Sequence, residues 1–381
     1  MAKTSDLMNT WKNIQEIDLR PLQQQALNGI KVAIVGDPGS GRSTLASQMR
    51  RDPARSHLET DTPMLILDLE AARGPFEVDL IILMIDSRKQ DISREKELAL
   101  GWANTGKKVL VFENLFEEPS GSTAIIPWQA WKRRRVVCGS VLDDGFLTAK
   151  FAPAVIDLVP NQVLGLGRAF PLFRVPAAHY LINDTCLSNA AYSLSTGMAE
   201  IVPVFDVPLN LADMLVLTKT QAYLVYKLGL TLGFSTRWQD YVAEFGSVLG
   251  SGFLWRQLAR SLVGLIPVWG IVPKVAVAYA GTYVVGNTIL QWYLTGRHIS
   301  TRQMRELYTQ AFARGKHIAS SLAKRLPHPR LPKVRLPRPQ LPSRKPRQLP
   351  APPELHKCPA CGQSSAADAS FCQYCGKAFS E

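Results

Sequence analysis

The sequence predicts a doubly wound α/β domain with a mostly parallel sheet, then an all-α hydrophobic domain, and a small cysteine-rich module at the end of the chain. Three observations support this order. Short apolar runs bounded by charged residues alternate with helical patterns over residues 30–158, as in sheets buried on both faces. Apolar stretches with helical spacing fill residues 159–310. Four cysteines lie in two closely spaced pairs after residue 354.

The elements of the first domain are predicted in chain order from these patterns. A helix over 11–28 precedes a strand over 32–35; further strands are predicted over 64–67, 79–86, 109–112 and 135–138, and helices from residue 43, over 92–104 and over 145–158. In a sheet of this kind, ligands bind beyond the carboxyl ends of the strands. We therefore expect the functional residues in the loops that follow the strands.

A glycine-rich loop follows the first strand and contains the first candidate site. Gly36 and Gly41, four residues apart and followed by Arg42 and Ser43, match the phosphate-binding loop of nucleoside triphosphatases, except that arginine replaces the expected lysine. Backbone N–H groups of such a loop and the N-terminus of the following helix attract a phosphate chain. The alternative is an ordinary glycine-rich turn. Residues assigned to nucleotide binding here are Gly36, Asp37, Pro38, Gly39, Ser40, Gly41, Arg42, Ser43 and Thr44, with Ser43 also a magnesium ligand.

Residues 30–158 resemble the P-loop GTPases at several further positions. Asp68 stands where that family has its magnesium-binding aspartate, but Ala71 replaces the glycine that follows in the family motif. Asn114 matches the asparagine of the guanine-reading motif; its lysine is missing, and Glu117 takes the place of the aspartate. Ser140 lies where the last base-contacting loop of the family begins. The resemblance implies GTP or GDP with Mg²⁺ as ligand, and the incomplete motif leaves ATP open.

The departures from the family pattern predict impaired chemistry. They fall at Arg42, at Ala71 and after Asn114, positions that carry hydrolysis or base specificity in the family the chain resembles. We expect weak or absent hydrolysis and assign no catalytic residue. A slow but active GTPase that serves a membrane process is the alternative. Candidates for the switch threonine of the family are Thr60 and Thr62, and the spacing does not choose between them.

The second domain contains apolar helices that suit either a bilayer or a protein core. Residues 275–294 carry no charge, and a stretch of about 20 such residues is long enough to cross a membrane. A buried core helix is the alternative. The region also contains Leu217, Thr218, Lys219 and Gln221, IPVWG at 266–270 and AYAGTYVVG at 278–286. On these residues, 205–300 resembles the YcjF-type domain of unknown function found in some bacterial GTPase-like proteins, which implies membrane association and no reaction.

A basic linker follows and carries most of the formal net charge of +13. Proline recurs throughout 326–353, which prevents helix and sheet ladders and predicts an extended segment. A solvated tether and attraction to anionic lipid headgroups are both compatible with this composition. Nucleic-acid binding ranks last because 326–353 has no aromatic side chain for base stacking.

The last residues predict a structural zinc site. Cys358 and Cys361 form one pair and Cys372 and Cys375 another, with two residues inside each pair. Four thiolates supply a closed tetrahedral shell for Zn²⁺, which leaves no open position for catalysis. The segment resembles small bacterial zinc ribbons and is expected to dock a protein partner. Disulfide bonds are the alternative.

These patterns together predict a GTPase-like domain over 1–158, a helical and membrane-associated domain over 159–310, a linker over 311–353 and a zinc ribbon over 354–381. We expect a regulatory or scaffolding protein whose partners are a guanine nucleotide, membrane lipids or a membrane protein, and a protein bound at the ribbon. An adaptor that acts through the basic tail and the ribbon is a further alternative. The N-terminal residues show no secretory signal, so the expected location is the cytoplasmic side of the cell membrane or the soluble cytoplasm.

Overall fold

A computed structural model describes residues 18–73, 76–115, 135–199, 211–241, 271–297, 299–325, 355–362 and 364–366. The chain divides into a larger unit, Met1–Leu326, and a smaller unit, Pro327–Glu381. The predicted element at 11–17, the predicted base-reading residue Glu117 and the second cysteine pair lie outside the described residues.

The larger unit alternates strands and helices in its first half and is helical in its second. Its elements are α1 (Arg20–Leu27), β1 (Val32–Gly36), α2 (Arg42–Arg50), β2 (Arg51–Asp52), β3 (Arg55–Glu59), β4 (Leu65–Leu67), β5 (Leu80–Asp86), α3 (Ser93–Asn104), β6 (Lys108–Asn114), β7 (Val136–Gly139), α4 (144–158), α5 (Val163–Ala169), α6 (Arg174–Ala199), α7 (Leu211–Thr231), α8 (Ile271–Thr295) and α9 (Thr301–Arg325). Helix α4 joins α-helical Asp144–Phe146, π-helical Leu147–Phe151 and α-helical Ala152–Leu158. Short 3₁₀ turns occupy Ala71–Arg73, Pro160–Gln162 and Pro171–Phe173.

Five parallel strands form the central sheet in the order β4-β1-β5-β6-β7. The chain moves from β1 outward to β4 and then crosses to β5 on the other side of β1. The strand order therefore reverses beside β1, and such a switch point is where open α/β sheets bind ligands. The predicted α/β class with a parallel sheet is confirmed, and every strand predicted from the apolar runs is present.

The sequence patterns missed a small hairpin. Strands β2 and β3 pair antiparallel with each other and lie outside the central sheet. Their residues are mostly polar, and Leu58 in β3 is exposed. A hairpin that buries so little apolar surface shows no alternation of apolar and polar residues, which is the pattern that predicts strands.

Both faces of the sheet are covered because alternate side chains of a strand point to opposite sides. On β1, Val32 and Ile34 belong to one apolar cluster, and Ala33 and Val35 belong to the other. The first cluster also takes in residues of α2 and α4, and the second includes Ala99 of α3. This arrangement fixes β1 at the centre of the fold and leaves its carboxyl end open to the loops.

The first apolar cluster continues without a break from the sheet into the helical half. Phe151 of α4 packs edge-on against Phe112 of β6, with ring centroids 5.3 Å apart, and lies 5.8 Å from the ring of Phe173. The same cluster extends to Ala319 in α9. The core therefore crosses residue 158, where the sequence predicted a domain boundary; the division into domains stays a prediction.

Helix α8 lies inside the helical half rather than on its surface. Val275, Ala276 and Tyr279 are almost fully buried, and the helix packs against α6, α7 and α9. A buried hydrogen bond of 2.8 Å, from Asn189 Nδ2 to Thr282 Oγ1, links α6 to α8. This packing matches the alternative expectation for residues 275–294, a helix buried in a protein core. Among the helices within the described ranges, none combines the length and the apolar character needed to span a membrane.

Helix α9 extends further than the sequence patterns indicated. It runs to Arg325, so residues 311–325, which were assigned to the linker, are helical. A Cβ added at Gly315 would lie 2.9 Å from the Cα of Ala276, which shows how closely α9 approaches α8. In the smaller unit, β8 (Leu355–Lys357) pairs antiparallel with β9 (Ser364–Ala366).

We predict that Phe151→Ala destabilises the sheet and the helical half together. Removing this ring leaves a cavity between Phe112 and Phe173, and such substitutions cost about 3–5 kcal/mol. Urea unfolding of the full chain, followed by circular dichroism and tryptophan fluorescence, should show both transitions moved to lower urea. Leu27→Ala at an exposed position is the control and should leave both midpoints in place. A shift in only one probe would contradict a shared core.

Candidate functional site

A cleft of about 280 Å³ lies at the carboxyl edge of the sheet, beside the switch point. We call it the loop cleft. Its lining residues are Gly39, Gly41, Arg42, Ser43, Thr44, Asn114, Leu115, Ser140, Val141 and Leu142. They come from the β1–α2 loop, the start of α2 and the segments that follow β6 and β7. Seven of the residues assigned to nucleotide binding therefore lie together.

Close contacts in the β1–α2 loop leave no room for a Cβ at two of its glycines. Gly41 has φ +97°, and a Cβ there would lie 2.6 Å from Nδ2 of Asn114. At Gly36, a Cβ would lie 2.5 Å from the carbonyl oxygen of Met84. Helix α2 begins directly after Gly41, so its free N–H groups face the cleft. The glycine spacing thus has a steric cause in this fold.

Asn114 holds two of the cleft loops together from a buried position. Its Nδ2 donates a hydrogen bond of 3.1 Å to the carbonyl of Ser40, and its Oδ1 accepts one of 3.1 Å from the N–H of Val141. The side chain is 1% exposed. Sequence reasoning assigned Asn114 to the base of a nucleotide, whereas the structure commits one donor and one acceptor of its amide to the loops. It acts here as a positioning residue.

Arg42 forms an ion pair with Asp68, the residue predicted to hold magnesium. Nη1 of Arg42 lies 2.5 Å from Oδ1 of Asp68, and the Arg42 side chain is only 14% exposed. A carboxylate ligand of Mg²⁺ offers its negative charge to the ion. That charge is already paired with a guanidinium here, although Ser43 is exposed at the cleft. The predicted pair of Ser43 and Asp68 therefore does not fit a magnesium site in this arrangement.

The segment that follows Asp68 is anchored in the second apolar cluster. Leu69 and Ala72 are buried there, and the N–H of Ala72 donates to the carbonyl of Asp68 at 3.1 Å. Glu70 forms an ion pair with Arg94 of α3. Ala71, which replaces the family glycine, starts a 3₁₀ turn. Burial and an ion pair together hold this segment against the sheet and α3.

Lys89 is a charged group near the loop that sequence reasoning missed. Its Nζ lies 2.5 Å from Oδ2 of Asp37 and 2.5 Å from Oε1 of Glu95, whose side chain is 2% exposed. Burial alone would lower the pKa of Lys89, but the hydrogen bonds to the two carboxylates outweigh it and raise that pKa. The sequence could have indicated the ion pair between Asp37 and Lys89, because the two residues follow neighbouring parallel strands.

The remaining predicted residues have separate environments. Ser140 lines the cleft, and its Oγ accepts a hydrogen bond of 3.2 Å from the N–H of Leu142. Pro38 is exposed and Ser40 is buried in the loop. The hydroxyls of Thr60 and Thr62 both donate to the carbonyl of Ala169, at 3.2 and 2.5 Å. Neither threonine is a lining residue of the cleft, so the structure favours neither as a switch threonine.

A partly buried thiol and a buried carboxylate form a pair beside Asn114. Cys138 of β7 donates a hydrogen bond of 3.0 Å to Oε2 of Glu113, the neighbour of Asn114 in β6. Burial and this hydrogen bond raise the pKa of Cys138 to about 12. A raised pKa favours the protonated thiol at neutral pH.

The first cysteine pair of the smaller unit lies in a turn. Cys358 is buried, and its Sγ accepts a hydrogen bond of 3.4 Å from the N–H of Ala360. Its carbonyl accepts from Gly362, which has φ +71°. Cys372 and Cys375 fall outside the described residues. Within the described ranges, no three His, Cys, Asp or Glu side chains are grouped as metal ligands would be. The zinc site stays a prediction.

Comparisons with known proteins add no family to this picture. No protein-family model matches the sequence, and a search of curated proteins finds no match. The interpretation of the cleft therefore depends on its own residues and their contacts.

We predict that Asn114→Ala loosens the loop cleft. The substitution leaves the Ser40 carbonyl and the Val141 N–H without their partner, and each unsatisfied buried group costs about 1–3 kcal/mol. Hydrogen exchange should become faster at residues 36–41 and 139–142. Asn104→Ala, at the exposed end of α3, is the control. Unchanged protection of both loops in Asn114→Ala would contradict the bridging role.

Proposed function

We propose that the larger unit binds a nucleoside di- or triphosphate in the loop cleft and acts as a regulatory or scaffolding module with weak or no hydrolysis. The observation that carries this proposal is the β1–α2 loop, in which Gly41 adopts a left-handed conformation immediately before α2 begins. A loop of this form directs backbone N–H groups and the positive end of the helix toward one point. A phosphate chain is the ligand that this arrangement suits. The five-stranded parallel sheet is compatible with a P-loop fold.

The chemistry of the cleft walls supports a nucleotide with its phosphates at the helix end. Arg42, Ser43 and Thr44 supply donors on that side. Leu115, Val141 and Leu142 also line the cleft and supply apolar surface that suits a base. The family's base-reading motif continues past residue 115, outside the described residues. The titration described below therefore compares guanine with adenine nucleotides.

Weak or absent hydrolysis follows from the residue types at the cleft. Among the described lining residues there is no carboxylate and no histidine to act as a general base or to orient an attacking water. The side chain at the lysine position, Arg42, is longer and planar, and it is held by Asp68. These features favour binding over turnover, in preference to the alternative of a slow GTPase.

We predict that Gly41→Ala weakens nucleotide binding. A Cβ at this position meets the Asn114 amide and also strains a backbone with positive φ. Calorimetric titration of the full chain with GTP, GDP and ATP should show saturable binding that is at least about tenfold weaker in the variant. Gly106→Ala is the matched control, because Gly106 has φ +79° but nothing within 4 Å of an added Cβ.

The two variants separate backbone strain from loss of the site. Retained binding in Gly106→Ala shows that strain at a positive φ does not by itself remove the ligand. If no nucleotide binds to the unaltered chain even at millimolar concentration, the proposed function is wrong. Binding that persists unchanged in Gly41→Ala would place the nucleotide elsewhere.

We also propose that the smaller unit holds a structural zinc ion through its four cysteines and offers a surface to a protein partner. The turn at Cys358 supports this proposal, since the N–H of Ala360 directed at Sγ stabilises a thiolate. Cys361 follows in the same turn. A segment this small has little apolar surface to bury, so a metal would supply its folding free energy. Location at the cytoplasmic side of a membrane remains a prediction from the sequence.

We predict one zinc ion per chain, lost in Cys358→Ser. Elemental analysis of the purified full chain measures it directly. Cys186→Ala is the control, because Cys186 lies buried in α6 of the larger unit and should leave the zinc content unchanged. A zinc-free chain with disulfide bonds between residues 358–375 would contradict this prediction.

A further inference from the structure

We propose that the guanidinium of Arg42 takes the place of a magnesium ion, so that the loop cleft binds its nucleotide without a divalent cation. This inference rests on the proposed function, because it requires that the cleft bind a nucleoside phosphate. It starts from the finding that Ser43 and Asp68 do not fit the magnesium site that the sequence predicted.

The position of Arg42 is the first part of the argument. It is the first residue of α2 and lines the cleft, so its cation lies where phosphates would approach the helix end. From there it also reaches across to Asp68, 2.5 Å away, which follows β4. A magnesium ion held by Ser43 and Asp68 would have to lie between these same elements. The guanidinium of Arg42 already places a positive charge there.

The chemistry of the two cations is the second part. Mg²⁺ loses its water ligands reluctantly and demands a nearly octahedral set of oxygen ligands. A guanidinium keeps its charge at any physiological pH and presents five N–H donors in a planar fork. It can hold Asp68 with one donor and a phosphate with others. A second, divalent cation beside a side chain that is only 14% exposed would meet direct charge repulsion.

The surroundings of Asp68 are the third part. Leu69 and Ala72 are buried, and Glu70 is paired with Arg94, so the backbone that follows Asp68 is held in place. The Asp68 side chain itself is 57% exposed, so a metal ion would compete for this carboxylate with the guanidinium of Arg42 and not with the buried contacts. The ion pair is the arrangement that the structure shows.

The experiment compares nucleotide affinity with and without magnesium in the full chain. Titrations with GDP and GTP are run in buffer cleared of metal by a chelating resin, and again with added MgCl₂. A soluble chelator is avoided because it would compete for the zinc predicted at the cysteines. We expect the two affinities to agree within about a factor of three. A loss of tenfold or more without magnesium overturns the inference.

Arg42→Lys is the informative variant. Lysine restores a compact ammonium that cannot hold Asp68 and phosphate in one planar fork. We expect this variant to gain magnesium dependence, with affinity at least about tenfold higher in MgCl₂ than in metal-free buffer. Arg305→Lys, at an exposed position of α9, is the control and should behave as the unaltered chain. A variant that binds equally well in both buffers overturns the assignment of the effect to Arg42.

The outcomes also separate this inference from the proposed function. No binding in either buffer refutes the proposed function itself. Binding that occurs only with magnesium supports the proposed function and refutes the inference. The decisive comparison uses the unaltered chain with and without magnesium. A folding defect in Arg42→Lys would be visible in its thermal unfolding. Such a defect would not prevent the comparison from refuting the inference.

Discussion

All five residues of β1 are buried, and the rest of the larger unit depends on covering them. A strand buried on both faces needs helices on both sides, which α2 and α4 supply on one and α3 on the other. The helical half packs on the same face of the sheet as α4, through Phe112, Phe151 and Phe173. The helical region is therefore packed onto the sheet that carries the loop cleft.

The same constraint determines the character of the cleft. The carboxyl end of β1 emerges from a rigid centre, so the loop that follows it begins from a fixed point. Asn114 then ties that loop to the segment after β7 from below. Arg42 ties the start of α2 to the segment after β4. The cleft is thus shaped by contacts among the ends of four strands, β4, β1, β6 and β7.

The sequence predicted the sheet well because its strands are short apolar runs whose burial leaves a clear pattern. It also predicted that Gly41, Ser43, Asn114 and Ser140 lie close together, since the carboxyl ends of parallel strands share one edge of the sheet. It could not predict the partners of individual side chains. Arg42 and Asp68 are far apart in sequence, and only the register of β4 beside β1 brings them together. For α8, composition was compatible with lipid or protein, and the sequence could not indicate that α6 and α9 pack against it.

The burial of Leu69 and Ala72 has a consequence for how a nucleotide would act on this protein under our proposal. The buried side chains favour the arrangement seen here over a second state that the γ-phosphate could select, and a ligand shifts an equilibrium only by its differential affinity for two states. The nucleotide would then behave as a structural cofactor. Its effect would come through mass action, adding about 2.7 kcal/mol to folding stability at a concentration of 100 times Kd. Such a protein would respond to the concentration of nucleotide and would not act as a timed switch.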